Sequence, residues 1–253
     1  MSNNALIGHT GFIGQALDKQ LKFTDFYNSK NIDNIKFKEF DLVVSCGNSS
    51  SRWLVNQDPE KDYANILLFI ENIKTIKANM FVLISTIDVY QPPSNVNEDV
   101  PGSRDNANRY GRNRYLLEEQ VKTLFPNYLI VRLPIMYGHG FKKNVIYDGL
   151  NKHELHKVNK TAKVQIYNVK RLGSDLNYFL KSNLRIVNLA TEPLLVDDIY
   201  KDVFNITLNN NIKTNFEYDM QTKHLPGRKY FYTKEQILND LKEFKHEYES
   251  IGK

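Results

Sequence analysis

The sequence predicts an α/β fold: a parallel β-sheet with helices on both faces and a small C-terminal lobe. Three observations predict it. Short apolar runs such as Leu42-Val43-Val44 and Phe81-Val82-Leu83-Ile84 alternate with stretches whose apolar residues recur at helical spacing. Runs of that kind suit strands buried on both faces, as in a parallel sheet covered by helices. The first of them, Ala5-Leu6-Ile7, passes directly into Gly8-His9-Thr10-Gly11-Phe12-Ile13-Gly14, a glycine loop that opens a helix over residues 13–21.

The remaining elements follow in order. Asp25-Phe26-Tyr27 is a candidate second strand, and residues 28–40 leave room for little more than a turn of helix, so one crossover is abbreviated. Leu42-Val43-Val44 is a buried strand entered by Asp41 and closed by Cys46-Gly47. Asp58-Pro59-Glu60 opens a long helix in which Ile66, Phe69, Ile70, Ile73 and Ile76 recur at helical spacing. The run 81–84 is the next strand, after which Pro92-Pro93 and Pro101-Gly102 bracket a polar loop. Tyr110 begins another helix, with Leu117, Val121 and Leu124 on one face and Pro126 as its end. Leu129-Ile130-Val131 is a strand stopped at Pro134. Beyond it the elements shorten. Residues 164–169 and 185–189 read as strands and 197–208 as a helix. Thr233 and Gln236 form a capping box for a last helix carrying Ile237, Leu241 and Phe244. The expectation is a single domain, with residues 1–140 mainly the core, 141–253 mainly the lobe, and 185–208 returning to the core.

The 253 residues suffice to bury one sizeable core. Apolar stretches such as residues 80–84 are too short to span a bilayer, and the N-terminus runs straight into a strand rather than into a signal peptide. A cytoplasmic chain off the membrane is expected. Cys46, the single cysteine, excludes an internal disulfide and fits a reducing compartment. At a strand end it reads as a small buried residue rather than a reactive thiol. The net charge of +5 suits an anionic ligand. Nucleic acid is not the expected partner, because the lysines are scattered among acids and no basic motif of a known module is present. His153 and His156 could share a helix face, but no third ligand is evident, and a catalytic zinc site usually takes three protein ligands. No metal is expected.

The glycine loop turns the chain tightly between strand and helix and brings bare backbone to a pyrophosphate. Gly8, Thr10, Gly11, Phe12, Ile13 and Gly14 are therefore candidate dinucleotide-binding residues, joined by Cys46 and Gly47 at a neighbouring strand end. The end of the second strand is where the adenosine ribose is read: an acid favours NAD, and basic or hydroxyl residues favour NADP. Here Asn28-Ser29-Lys30 follows Tyr27 with no competing carboxylate. A 2′-phosphate site and an ordinary polar turn both fit, so NADP(H) is preferred and NAD(H) possible. Tyr110 needs a nearby cation to transfer protons near neutrality, since an unperturbed phenol titrates near ~10. Arg114 lies four residues on, on the same helix face.

The glycine loop, the strand end Ser85-Thr86 and the run Tyr110-Gly111-Arg112-Asn113-Arg114 together resemble the extended short-chain dehydrogenase/reductases, the NAD-dependent epimerase/dehydratase family, of the nucleotide-sugar kind. The resemblance covers about residues 5–200, with motifs that are specific before 140 and loose after it. It implies a Rossmann-like sheet and a catalytic Tyr-x-x-x-Lys pair in which Arg114 stands for the lysine. A guanidinium fork is not interchangeable with a compact ammonium. An Arg-variant active site and a site that binds cofactor without efficient turnover both remain open, with the first favoured. The resemblance further implies that Thr86 bonds the substrate oxygen and that Tyr110 is the acid of a carbonyl reduction or the base of an alcohol oxidation. Arg114 would bond the nicotinamide ribose, and Val131-Arg132-Leu133-Pro134 would bring Pro134 past the nicotinamide. Asp88, Asn144 and Arg171 would face the substrate, and Asn65 would be structural. The implied activity is reduction of a nucleoside-diphosphate 4-keto-6-deoxysugar. Epimerisation of a nucleotide sugar and a non-catalytic, dinucleotide-binding regulatory role are the alternatives. The resemblance also implies a homodimer, paired through helices 62–76 and 110–124.

Overall fold

The computed structural model describes residues 2–47, 52–210, 212 and 216–251. Its first half contains β1 (Asn4–Ile7), α1 (Phe12–Asp18), β2 (Asp25–Tyr27), β3 (Glu39–Ser45), α2 (Arg52–Gln57), α3 (Pro59–Ile73), β4 (Lys77–Thr86), β5 (Ser94–Val96) and α4 (Arg109–Leu124). There follow β6 (Tyr128–Leu133), β7 (Ile135–Tyr137), α5 (Val145–Asn151), β8 (Lys163–Val164), β9 (Ile166–Asn168) and α6 (Leu172–Lys181). The chain ends with β10 (Ile186–Asn188), β11 (Leu194–Leu195), α7 (Val196–Asp202), β12 (Asp219–Met220) and α8 (Lys234–Ser250). It divides into two compact units. Met1–Pro92, Val100–Arg132 and Lys170–Val187 form the first; Pro93–Asp99, Leu133–Val169 and Asn188–Lys253 form the second. Residues 170–187 rejoin the first unit, and β10 at their end continues the sheet beside β6, where the Ile130 amide donates to the Arg185 carbonyl at 2.8 Å.

The first unit is built on a six-stranded sheet of order β10-β6-β4-β3-β1-β2. β1 runs parallel to β2 and β3, and β3 parallel to β4. The chain leaves β1 on one side for β2 and returns on the other for β3. The strand order therefore reverses between β1 and β3, where open α/β sheets form a crevice at their carboxyl ends. The abbreviated crossover is real: a single 3-10 turn, Ile32–Ile35, links β2 to β3. Ile66, Ile70 and Ile73 of α3 are buried against Val43, Phe81 and Ile130, and Phe81 stacks on Phe125 with centroids 4.2 Å apart. Asp58 caps α3 by accepting from the Lys61 amide at 3.1 Å. The helix ends at Ile73 rather than Ile76, and Ile76 is buried in the lead into β4. α2 has no counterpart in the sequence reading, because six residues are too few to display a helical period.

In the second unit, residues 164–169 form two strands instead of the expected one. The side chain of Gln165 causes the break. Its amide oxygen accepts from the Met220 amide at 2.8 Å, and its amide nitrogen, Nε2, donates to the Met220 carbonyl at 2.8 Å and to the Thr191 carbonyl. A buried glutamine thus does the pairing of a backbone. β8 pairs with β11, and β9 with β7. The helix expected over 197–208 stops at Asp202, and Asn205 then turns the chain through the left-handed region at φ 55°. α8 carries the expected capping box, and its Phe244 packs on Tyr137 and Phe141 at centroid distances of 5.4 and 6.0 Å.

Candidate active site

The glycine loop follows β1 at the reversal point. Gly8 adopts φ 88°, and a Cβ there would lie 2.5 Å from Gly47 Cα. A Cβ on Gly14 would lie 2.1 Å from the Gly8 carbonyl oxygen. Both glycines are demanded by the chain's own packing. Gly11 is different: its backbone is extended, it is exposed, and a Cβ would come no closer than 3.4 Å to the Gly8 oxygen. Among the described residues nothing requires glycine at 11, so the open room above it is suited to a ligand's close approach to the backbone. Thr10 is exposed, and Phe12 and Ile13 are half-buried in the first turn of α1. The Cys46 thiol donates to the Ile7 carbonyl at 3.2 Å, and burial pushes its pKa up to about 12. Its role is structural, with Gly47 beside it as the floor under Gly8.

At the end of β2, Asn28 organises the turn. Its amide donates to Asn31 Oδ1 at 2.7 Å, and its own Oδ1 accepts from the Lys30 amide at 2.8 Å. Ser29 and Lys30 are left exposed. Asn28 Nδ2 also meets His9 Nε2 at 3.1 Å, a contact between the glycine loop and the second strand. His9 was not singled out in the sequence, because its partner is nineteen positions away.

At the end of β4, Thr86 Oγ1 accepts from the Asp88 amide at 3.2 Å and caps a short 3-10 turn, Ile87–Val89. The Asp88 carboxylate, expected to face substrate, lies 3.2 Å from Arg52 Nη1. α4 crosses this turn very closely: a Cβ on Gly111 would lie 1.8 Å from the Asp88 carbonyl oxygen. Gly111 therefore lets Tyr110 enter beside the strand end. The Tyr110 amide donates to Asn56 Oδ1 at 3.1 Å, which gives α2 a role in starting α4.

Tyr110 is buried, and Arg114 is buried next to it with Cζ 4.6 Å from the ring centroid. Arg114 is held by Asp62 of α3 through two parallel bonds, Nη1 to Oδ2 at 3.0 Å and Nη2 to Oδ1 at 2.9 Å. Asn113 donates to the same carboxylate at 2.9 Å. Burial raises the Tyr110 pKa; the charge of Arg114 and a hydrogen bond from it oppose that rise, while Asp88 and Asp62 add to it. The net direction is upward. Arg114 acts to lower the phenol pKa, but desolvation outweighs the guanidinium, whose charge Asp62 partly cancels. The Arg114 fork, expected at a ribose, is engaged with the Asp62 carboxylate.

A second network lies one turn further along α4. Glu118 accepts from Arg132 Nε at 3.0 Å and Nη2 at 2.6 Å, and from Ser85 Oγ at 2.5 Å. Arg132 Nη1 donates to the Tyr90 hydroxyl at 2.6 Å. These contacts clamp the residues on either side of Thr86.

The other candidates have structural contacts. Asn144 caps α5, accepting from the Ile146 and Tyr147 amides at 2.9 and 3.1 Å and donating to the Met136 carbonyl at 2.7 Å. Pro134 is buried between β6 and β7, and Asn65 is exposed on α3. Arg171 precedes α6, its carbonyl accepting from Ser174 Oγ at 2.7 Å. Pro134 and Asn144 belong to the second unit, Arg171 to the first. Among the described residues no group of three or more His, Cys, Asp or Glu could hold a metal ion, and no helix is long and apolar enough to cross a membrane.

No protein-family model matches the chain, and no curated protein matches it. Solved structures do resemble it. A dTDP-4-dehydrorhamnose reductase from Bacillus anthracis, in complex with NADP, superposes with a TM-score of 0.74 at 18% identity, covering 98% of this chain and 99% of its own. A UDP-glucose 4-epimerase from Thermotoga maritima, with UDP-glucose, gives 0.70 at 14% identity, covering 99% of this chain and 100% of its own. An NAD-dependent NDP-hexosamine 5,6-dehydratase gives 0.74 at 14% identity, covering 99% and 98%. The six-stranded parallel sheet with its flanking helices is Rossmann-like, matching these structures.

Proposed function

We propose that this chain is an NAD(P)-dependent oxidoreductase that reduces a nucleoside-diphosphate 4-keto-6-deoxysugar, with Tyr110 as proton donor. The observation that carries this reading is the buried Tyr110–Arg114 pair, set at the carboxyl edge of the sheet that also bears the glycine loop. Gly8 and Gly14 shape the loop, and the room over Gly11 fits a pyrophosphate close to the backbone. Ser29 and Lys30 would hold the adenosine ribose or its 2′-phosphate. When bound, the reduced nicotinamide supplies a hydride. Thr86 orients the substrate carbonyl by a hydrogen bond. Tyr110 gives its proton to the carbonyl oxygen as negative charge develops there, and Arg114 stabilises the phenolate that remains. The nearby fold relatives include an enzyme named as a dTDP-4-dehydrorhamnose reductase, which is the same reaction class. A homodimer is part of the proposal: Tyr63 and Leu67 of α3 are exposed, and Tyr63 lines a cavity with Leu116 of α4, a face that a second copy could cover.

A second reading is favoured by one contact. Asp62 engages both terminal nitrogens of Arg114, which weakens any hold on a nicotinamide ribose and fits a protein that binds the dinucleotide without turning over. Oxidation of NADPH or NADH in the presence of a 4-keto-6-deoxysugar nucleotide separates the two. Turnover lost in Tyr110→Phe supports the reductase; cofactor binding with no turnover on any common sugar nucleotide supports the second reading.

A further inference from the structure

We propose that His9 is a proton-linked reader of the adenosine 2′-phosphate: on protonation it forms, with Asn28, a pair of donors facing that anion, and so selects NADP(H) over NAD(H) as pH falls. This rests on the dinucleotide reading given above.

The geometry assigns the protons. Asn28 Oδ1 accepts from the Lys30 amide at 2.8 Å, so the amide of Asn28 is oriented with its NH2 toward His9. Asn28 Nδ2 lies 3.1 Å from His9 Nε2. An amide NH2 only donates, so Nε2 must accept, and the ring is neutral with its proton on Nδ1. Protonation at Nε2 sets two donors against each other. Asn28 cannot flip to offer its oxygen without giving up the Lys30 amide. An acceptor shared between them satisfies both donors, and a phosphate offers several anionic oxygens to such a pair. A ribose 2′-hydroxyl carries no charge and rewards the imidazolium far less.

The surroundings keep the ring in place and supply no competing anion. Phe26 of β2 meets the ring edge-on, with centroids 5.6 Å apart. The exposed Ser29 and Lys30 follow Asn28 in the same turn. The carboxylates on β2 and in the turn that follows it are engaged elsewhere: Asp25 accepts from the Tyr27 hydroxyl at 3.2 Å and sits 3.5 Å from Lys38, and Asp33 pairs with Lys36 at 3.1 Å. The end of β3 offers only the Cys46 thiol, which burial keeps protonated. The glycine loop itself has no other charged group.

The test is calorimetric titration of the whole chain with NADP⁺ and with NAD⁺ between about pH 8 and about pH 5.5, in two buffers of different ionisation enthalpy to count protons taken up. An ordinary imidazole titrates near ~6.5. The ligand's own phosphate titrates near ~6 and works in the opposite direction, so the decisive comparison is with His9→Gln, which retains that ligand effect. For the wild type, the ratio of NADP⁺ to NAD⁺ affinity should rise roughly tenfold relative to His9→Gln as pH falls, with extra proton uptake for NADP⁺ only. Asn28→Asp, which places a carboxylate against both His9 and the phosphate, should reverse the preference to NAD⁺. Equal pH dependence in wild type and His9→Gln, with NAD⁺ still bound, overturns this inference and leaves the dinucleotide reading standing. Binding of neither dinucleotide overturns both.

Discussion

Two buried arginine–carboxylate pairs meet on α4, one turn apart. Arg114 with Asp62 and Glu118 with Arg132 are both bidentate, with bonds of 2.9–3.0 Å in the first and 2.6–3.0 Å in the second. Chemically they are near twins, yet their neighbours differ. The first lies against the Tyr110 ring and shifts a titrating group. The second holds Ser85 and Tyr90. A buried ion pair is weak evidence for net stability, because desolvation offsets its attraction. What such a pair does depends on what else its charges reach. Here one modulates a phenol and the other sets the ends of a strand.

The largest expected effect tests the first pair's claim to chemistry. Tyr110→Phe should lower turnover by roughly 10²–10⁴-fold, the range for losing a general acid, with cofactor affinity nearly unchanged. If the variant turns over like the wild type, Arg114 and Asp62 are as purely architectural as their neighbours, and the contrast disappears.

Breaking either pair should be costly to the fold. Glu118→Ala and Asp62→Ala should each lose about 3–5 kcal/mol in urea unfolding, because each strands a buried guanidinium. The contrast lies in the milder variants. Asp62 raises the Tyr110 pKa, so Asp62→Asn should move the alkaline limb of the turnover profile to lower pH. Glu118→Gln should leave that limb in place. An equal shift in both would show that the two pairs are not distinct.

A smaller effect is expected for Arg114→Lys. One ammonium cannot reproduce two parallel bonds to Asp62, so stability should fall by about 1–2 kcal/mol. Turnover should survive in part, since a positive charge remains beside the phenol. Full activity with unchanged stability would mean the fork geometry is irrelevant.

A last prediction lies away from both pairs and serves as their control. The folded Cys46 pKa, raised from 9.0 to about 12, means the thiol contributes stability that is fully present below about pH 9. That contribution should be lost as pH rises toward about 12. Cys46→Ala should unfold with a flatter alkaline limb, and the native thiol should resist alkylation at neutral pH. Rapid labelling of folded protein would contradict this.

Much of the first unit was legible because its signals are local. An apolar run, a glycine loop and a capping aspartate act within a few residues, and β1, the loop and the start of α3 lie where their residues place them. Gly111 was visible only as part of a motif; its reason, the carbonyl of Asp88 under the helix, emerges from packing. Asp62 and Glu118 carry no local signal that marks them as buried partners of arginines. Their real partners are 52 and 14 positions away. In the second unit, Gln165 looked like a polar residue inside a strand, while its amide ties segments 26 and 55 positions distant.

By itself the sequence determined the alternation of buried strands and helices, the abbreviated crossover, the glycine turn after β1 and the placing of Tyr110 and Arg114 on one helix. Periodicity, turn chemistry and backbone freedom are properties of short segments. Tertiary structure decided which way the charges point: Arg114 toward Asp62, Glu118 toward Arg132, His9 toward Asn28. A charged or polar side chain taken out of water must find a partner, and which partner lies within reach is set only when distant segments pack together.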